Sequence, residues 1–155
     1  MKMRTNIFLI ISLFIAVAFS ACAQDNDTNN QSNTNESMKM KIAVGGKEFT
    51  ATMADNTSAK ALVELLTKSP LTIQMQDYGS FEKVGSLGRS FPTNDVQTTT
   101  TAGDIVLYQG SSLVIFYGSN SWSYTRLGKI ENATADDLKK ALGGGDVAVT
   151  LSTSK

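Results

Sequence analysis

The stretch SWSYTRLGKI, Ser121 to Ile130, holds the side chains best suited to recognising another molecule. In an extended strand alternate residues share a face. Trp122, Tyr124 and Arg126 then line one side, while Thr125 and Leu127 take the other. Two aromatic rings beside a guanidinium bind well, because the rings give contact area and the arginine gives directed donors. The same three residues can instead form a cross-strand cluster in which Arg126 stacks on the rings and only stabilises the sheet. Both readings stand on the sequence, and the stabilising one is the simpler. Arg89, in the loop GRSFP, is a second candidate: it could reach a carboxylate or a peptide carbonyl, or simply be solvated. Phe91-Pro92 beside it reads either as the edge of a groove or as loop packing.

Other chemistry is sparse. The chain has no histidine, which removes the usual base near neutral pH and the commonest metal ligand. One cysteine allows neither an internal disulfide nor a cysteine-based zinc site. No catalytic residue, metal or cofactor is therefore expected. GGGD, Gly143 to Asp146, follows a helical pattern instead of opening one, so it reads as a helix stop and not as a phosphate loop. Asp136 and Asp137 are adjacent, point apart on a helix, and suit its first turn better than an acid–base dyad. Formal net charge is zero, which gives no general attraction to nucleic acid.

The lone cysteine has a different context. Lys2 and Arg4 precede an almost wholly apolar run, Ile7 to Phe19, and small residues Ser20 and Ala21 follow. This is the layout of a secretory signal, and the apolar run is short for a permanent membrane span. The ending Phe-Ser-Ala-Cys resembles the bacterial lipobox, which implies cleavage after residue 21 and acylation of Cys22. Multiple acyl chains anchor stably to a membrane. Residues 22–37 then form a tether: QDNDTNNQSNTNES has no aliphatic or aromatic residue and cannot build a core. Gln24, Asp25 and Asp27 resemble the surface-export signal of Bacteroidetes lipoproteins, or serve only as a soluble linker. An outer-membrane lipoprotein of the cell envelope is expected, facing either the periplasm or the outside.

The elements that must position the candidate residues lie in 38–155. Met40, Ile42 and Val44 alternate with polar or small residues, Gly45-Gly46 makes a tight turn, and Phe49 to Met53 returns. Asp55, Asn56 or Thr57 can cap a short helix whose face carries Leu62, Leu65 and Leu66, and Pro70 ends it. LTIQMQ alternates as a strand, Phe81 to Leu87 is a weaker strand, and Gly88 to Thr101 reads as a long loop or irregular edge. GDIVLYQGSSLVIFYG is a hairpin turning at Gly110-Ser111-Ser112. Its second arm, Leu113 to Tyr117, is apolar on both faces and so belongs in the centre of a sheet covered on both sides. After the strand Ser123 to Ile130, Asn132 or Thr134 caps a helix with acids early and lysines late, and Val147, Val149 and Leu151 close the chain. Met38, Met40, Met53 and Met75 are expected in the core. About eight short strands and two helices favour a mainly β fold, a closed antiparallel barrel.

The strings KIAVGGKEFTATMADNTSAKALVELL, GDIVLYQGSSLVIFYG, SYTRLGKI and GGGDVAVTLS resemble the bacterial cyclophilin-like domain family over nearly all of residues 38–155. The resemblance implies an eight-stranded barrel capped by two helices, with first and last strands as neighbours. True cyclophilins are peptidyl-prolyl isomerases with a Phe-His-Arg stretch, and this chain has none. Fold alone does not transfer activity. The primary expectation is a lipid-anchored, non-catalytic binding module for a peptide, glycan or partner protein. The alternatives are a weak prolyl isomerase acting on envelope proteins and a structural accessory subunit.

Overall fold

The computed structural model describes residues 38–153, so Cys22 and the stretches expected to be a signal and a tether lie outside the described residues. Strand β1 (Lys39–Val44) buries Met40, Ile42 and Val44, as the alternation requires. It turns through Gly45 and Gly46, at φ +57° and +73°, into β2 (Lys47–Met53). Gly45 is further constrained, since a Cβ there would lie 2.8 Å from the carbonyl oxygen of Ala141.

Helix α1 (Thr57–Lys68) starts where Asn56 accepts the Ala59 N–H at 2.9 Å, filling one of the donors a helix start leaves open. Ala59, Leu62 and Leu66 are its buried face, with Leu65 half-buried. The remaining elements are β3 (Leu71–Tyr78), β4 (Glu82–Ser86), β5 (Val96–Thr99), β6 (Asp104–Tyr108), β7 (Ser112–Phe116), β8 (Ser121–Ile130), α2 (Ala135–Leu142) and β9 (Val147–Thr153). Thr134 caps α2 in a capping box with Asp137, so that acid serves the cap as well as the dipole. Gly143, at φ +69°, ends the helix by donating its N–H to the Lys139 carbonyl.

All strand pairings are antiparallel, in the order β2-β1-β9-β3-β4-β7-β6-β8, and β2 pairs with β8 to close an eight-stranded barrel. First and last strands are neighbours, Ile42 opposite Leu151. Closure brings backbones close at Gly128, where a Cβ would meet the Thr52 carbonyl oxygen at 2.5 Å. The inward side chains of the strands and the apolar faces of both helices form one core, which includes Met40, Met53 and Met75, with Met38 packed at its edge.

Two details differ from expectation. The β6–β7 pairing places Tyr108 opposite Ser112, so the loop is Gln109 to Ser111, with Gln109 and Gly110 both at positive φ. The polar stretch Gly88 to Thr101 contributes a ninth strand, β5, which pairs only with the first half of β8. It has no hydrophobic alternation because its side chains are largely exposed, including Val96.

Strand β7 is covered on both faces, as its composition demands. Leu113 and Ile115 enter the barrel core. Val114 and Phe116 join Val106 and Tyr124 in a second cluster on the outer wall, with Phe81, Val84 and Tyr108 against it. That second cover is built from rings, not from a helix.

Candidate functional site

Strand β8 does two jobs because it carries a bulge. Ile105 is opposite Gly128 and Val106 is opposite Arg126, which leaves Leu127 extra. Leu127 stays in the barrel core while Tyr124 joins the outer cluster. The rings of Tyr124 and Phe116 meet at 5.6 Å and 68°, and those of Tyr124 and Tyr108 at 6.1 Å and 64°, both edge-to-face.

Above this cluster lies a groove of about 770 Å³. Its floor is apolar, from Val84, Val114, Tyr108 and the buried Tyr124. One wall is the outward face of β3, Gln74, Gln76 and Tyr78. Trp122 and Tyr78 stand at its rim, 58% and 63% exposed, two of the three large hydrophobic side chains so open among the described residues. Asn120 donates to the Tyr124 hydroxyl at 2.9 Å and fixes that ring. Burial first, then the nearby Glu82, raise the Tyr124 hydroxyl above its usual range, so it stays protonated.

Strand alternation sends the neighbours Glu82 and Lys83 to opposite faces. Lys83 is fully buried on the inner side, where it donates to Asp77 at 2.9 Å and to the Gly145 carbonyl at 2.6 Å. The Tyr117 hydroxyl donates to the same Asp77 oxygen. The Tyr117 hydrogen bond and then Lys83 hold the Asp77 carboxyl below its ordinary value. Glu82 lacks such a partner. It is 6% exposed and lines the groove, and its buried Oε2 has no hydrogen-bond partner among the described residues. Burial pushes its carboxyl up to about 7.

The residues singled out from the sequence thus separate. Trp122 and Tyr124 come together in the groove. Arg126 leaves the same strand toward Asp104, which it meets at 3.0 Å, and does not line the groove. Asp104 is 3% exposed and also takes Lys129 at 3.1 Å and the Thr101 N–H at 2.7 Å. Its burial would raise its carboxyl, but the Thr101 N–H, Lys129 and Arg126 together hold it low. Arg89 is exposed in the bend after β4 and does not line the groove, while Phe91 packs on the barrel core and the Pro92 carbonyl accepts from Ser58. Cys22 lies outside the described residues. Glu82, Asn120 and the polar face of β3 were not anticipated. Their one sequence signal is period-2 spacing, of Glu82 with Val84, of Gln74 and Gln76 with Tyr78, and of Asn120 with Trp122, which marks them as sharing faces with apolar residues. Among the described residues no group of three His, Cys, Asp or Glu is placed to hold a metal ion.

No match was found among curated proteins. Among solved structures, the barrel is similar to that of a hypothetical protein from Archaeoglobus fulgidus, known from a solution structure, at 15% identity and a TM-score of 0.55. The match covers 76% of this chain and 95% of that one, and it supports the fold alone. The model of the cyclophilin-like family matches residues 42–152, from the middle of β1 to the end of β9. The closed barrel, its two capping helices and this match over most of its length agree: the chain belongs to the cyclophilin-like family.

Proposed function

We propose that this is a lipid-anchored cell-envelope protein whose barrel is a non-catalytic binding module, with a peptide, glycan or partner protein held in the outer groove. The observation that carries the reading is the groove itself. It is a concave site of about 770 Å³ with an apolar floor, a few converging polar groups and two exposed rings at its rim. Ligand sites of roughly 300–1,000 Å³ share this make-up. Exposed Trp and Tyr at the edge of a concavity are costly to leave in water and supply contact area on binding. The anchoring part of the reading rests on the signal layout and on Cys22 at its end.

Trp122 is the only tryptophan, so its emission reports on the groove alone. A panel of short peptides and oligosaccharides titrated into the full-length protein should include ligands that shift this emission saturably. Calorimetry should show the same ligands binding more weakly to Trp122→Ala. Full affinity in that variant, or no binding by any member of the panel, would refute the module. A proline-isomerisation rate above background that collapses in Tyr124→Ala would refute its non-catalytic character. Labelled palmitate should enter the wild type and not Cys22→Ala; equal labelling would remove the anchor.

A further inference from the structure

We infer that the groove takes the basic side chain of a peptide, a primary ammonium or guanidinium, whose N–H groups point at Glu82 and whose charge sits among the rings of Tyr78, Tyr108, Trp122 and Tyr124. This rests on the binding-module reading and names the chemistry of its ligand.

Charge is the first argument. Among the described residues three carboxylates line the groove, and no lysine or arginine does. Asp77 is already engaged by Lys83 and Tyr117, which leaves Glu82 and Asp146 to face a ligand. The second argument is the unpartnered oxygen. A buried polar atom without a hydrogen bond is costly, and the cost falls when a donor arrives. Oε2 of Glu82 has none among the described residues, and the adjacent Lys83 points through the sheet to the other face. Glu82 thus lines the groove with acceptor capacity that no described side chain of the barrel takes up.

The rings select the kind of donor. Aromatic faces carry the negative part of a quadrupole and attract cations, most strongly where water is excluded. Three tyrosines and the tryptophan line the same groove as Glu82. An anion would be repelled. A quaternary ammonium would suit the rings but give Oε2 no hydrogen. Only a cation bearing N–H groups answers both. Size then argues for a peptide over a free amine. The side-chain amides of Gln74, Gln76 and Asn120 line the groove beside the rings, where they offer donors and acceptors to flanking peptide bonds.

The test titrates the full-length protein with acetyl-Gly-Lys-Gly-amide, acetyl-Gly-Gln-Gly-amide and cadaverine, followed by Trp122 emission and calorimetry. The lysine peptide should bind about tenfold or more tightly than the glutamine peptide, the ratio expected of a charged hydrogen-bonded contact. Glu82→Gln should remove that preference while its far-ultraviolet spectrum stays that of the wild type. Tyr108→Leu, a second variant that spares the carboxyl, should weaken the lysine peptide more than the glutamine peptide. Equal affinity for the two peptides, or an unchanged preference in Glu82→Gln, would overturn the cation reading while leaving a binding module in place. Cadaverine binding as tightly as the lysine peptide would overturn the peptide as its source. Failure of all three probes would overturn the inference too, and the wider panel of peptides and oligosaccharides would then decide the module by itself.

Discussion

Glu82 makes folding stability depend on pH in a direction opposite to that of most carboxylates. Its carboxyl moves from 4.5 when unfolded to about 7 in the barrel, because burial disfavours the charged form. The folded state therefore binds more protons than the unfolded state between those values, and stability must fall as pH rises through that window. The contribution is fully present below about 4.5 and is lost by about 7. Moving the carboxyl from 4.5 to about 7, at about 1.36 kcal/mol for each tenfold change in proton affinity, gives a loss of about 3 kcal/mol. This is a large fraction of the 5–15 kcal/mol typical of a domain. Glu82→Gln keeps the shape and cannot ionise. Urea unfolding of both proteins at pH 4 and pH 8 isolates what the Glu82 carboxyl contributes. Tyr78, Tyr108, Tyr117, Tyr124, Asp77, Asp146 and Lys83 surround the site in both proteins, so their own contributions cancel in the difference. The wild type should lose about 3 kcal/mol more than the variant on going from pH 4 to pH 8. Parallel pH dependence of the two proteins would refute the claim that Glu82 is desolvated and unpaired.

The barrel seam gives a second prediction. Gly128→Ala sets a Cβ 2.5 Å from a backbone oxygen of β2, which cannot move aside like a side chain, so a loss of about 1–3 kcal/mol or more is expected in denaturant unfolding. Hydrogen exchange should quicken first at the β2–β8 pairing, and wild-type protection there would contradict the closure argument. Arg126→Ala should cost no more than about 1 kcal/mol, because the arginine is half-exposed and Lys129 still pairs with Asp104. Affinity for the lysine peptide should stay unchanged in that variant; a clear loss would return Arg126 to the binding surface.

Most of the barrel was legible because its information is local. Alternation in β1, β3 and β9 shows which side faces the core, Asn56 and Thr134 announce helix starts, and the two-sided apolar run of β7 demands a covered central strand. Strand β5 was hidden because it is held by backbone pairing to β8 with no apolar face of its own. The bulge at Leu127 was hidden because it depends on the register of β6, a strand some twenty residues away in the chain.

The groove was half legible for a related reason. Period-2 spacing put Trp122 and Tyr124 on one face, and they share the groove. The same spacing extended to Arg126, which Asp104 claims instead. Spacing states which side chains share a face, but a partner's pull decides where a long side chain ends. Glu82 shows the converse limit. In the sequence Glu82 and Lys83 are adjacent opposite charges on a short strand. In the barrel the sheet separates them: Lys83 is neutralised by Asp77 inside, and Glu82 is left against the ring cluster outside. Whether an adjacent acid and base cancel depends on whether a strand or a helix carries them, and on what covers each face. A carboxyl without a partner is a stability cost that folding alone does not explain, so the side chain least conspicuous in the sequence is the one that most directs attention to a ligand.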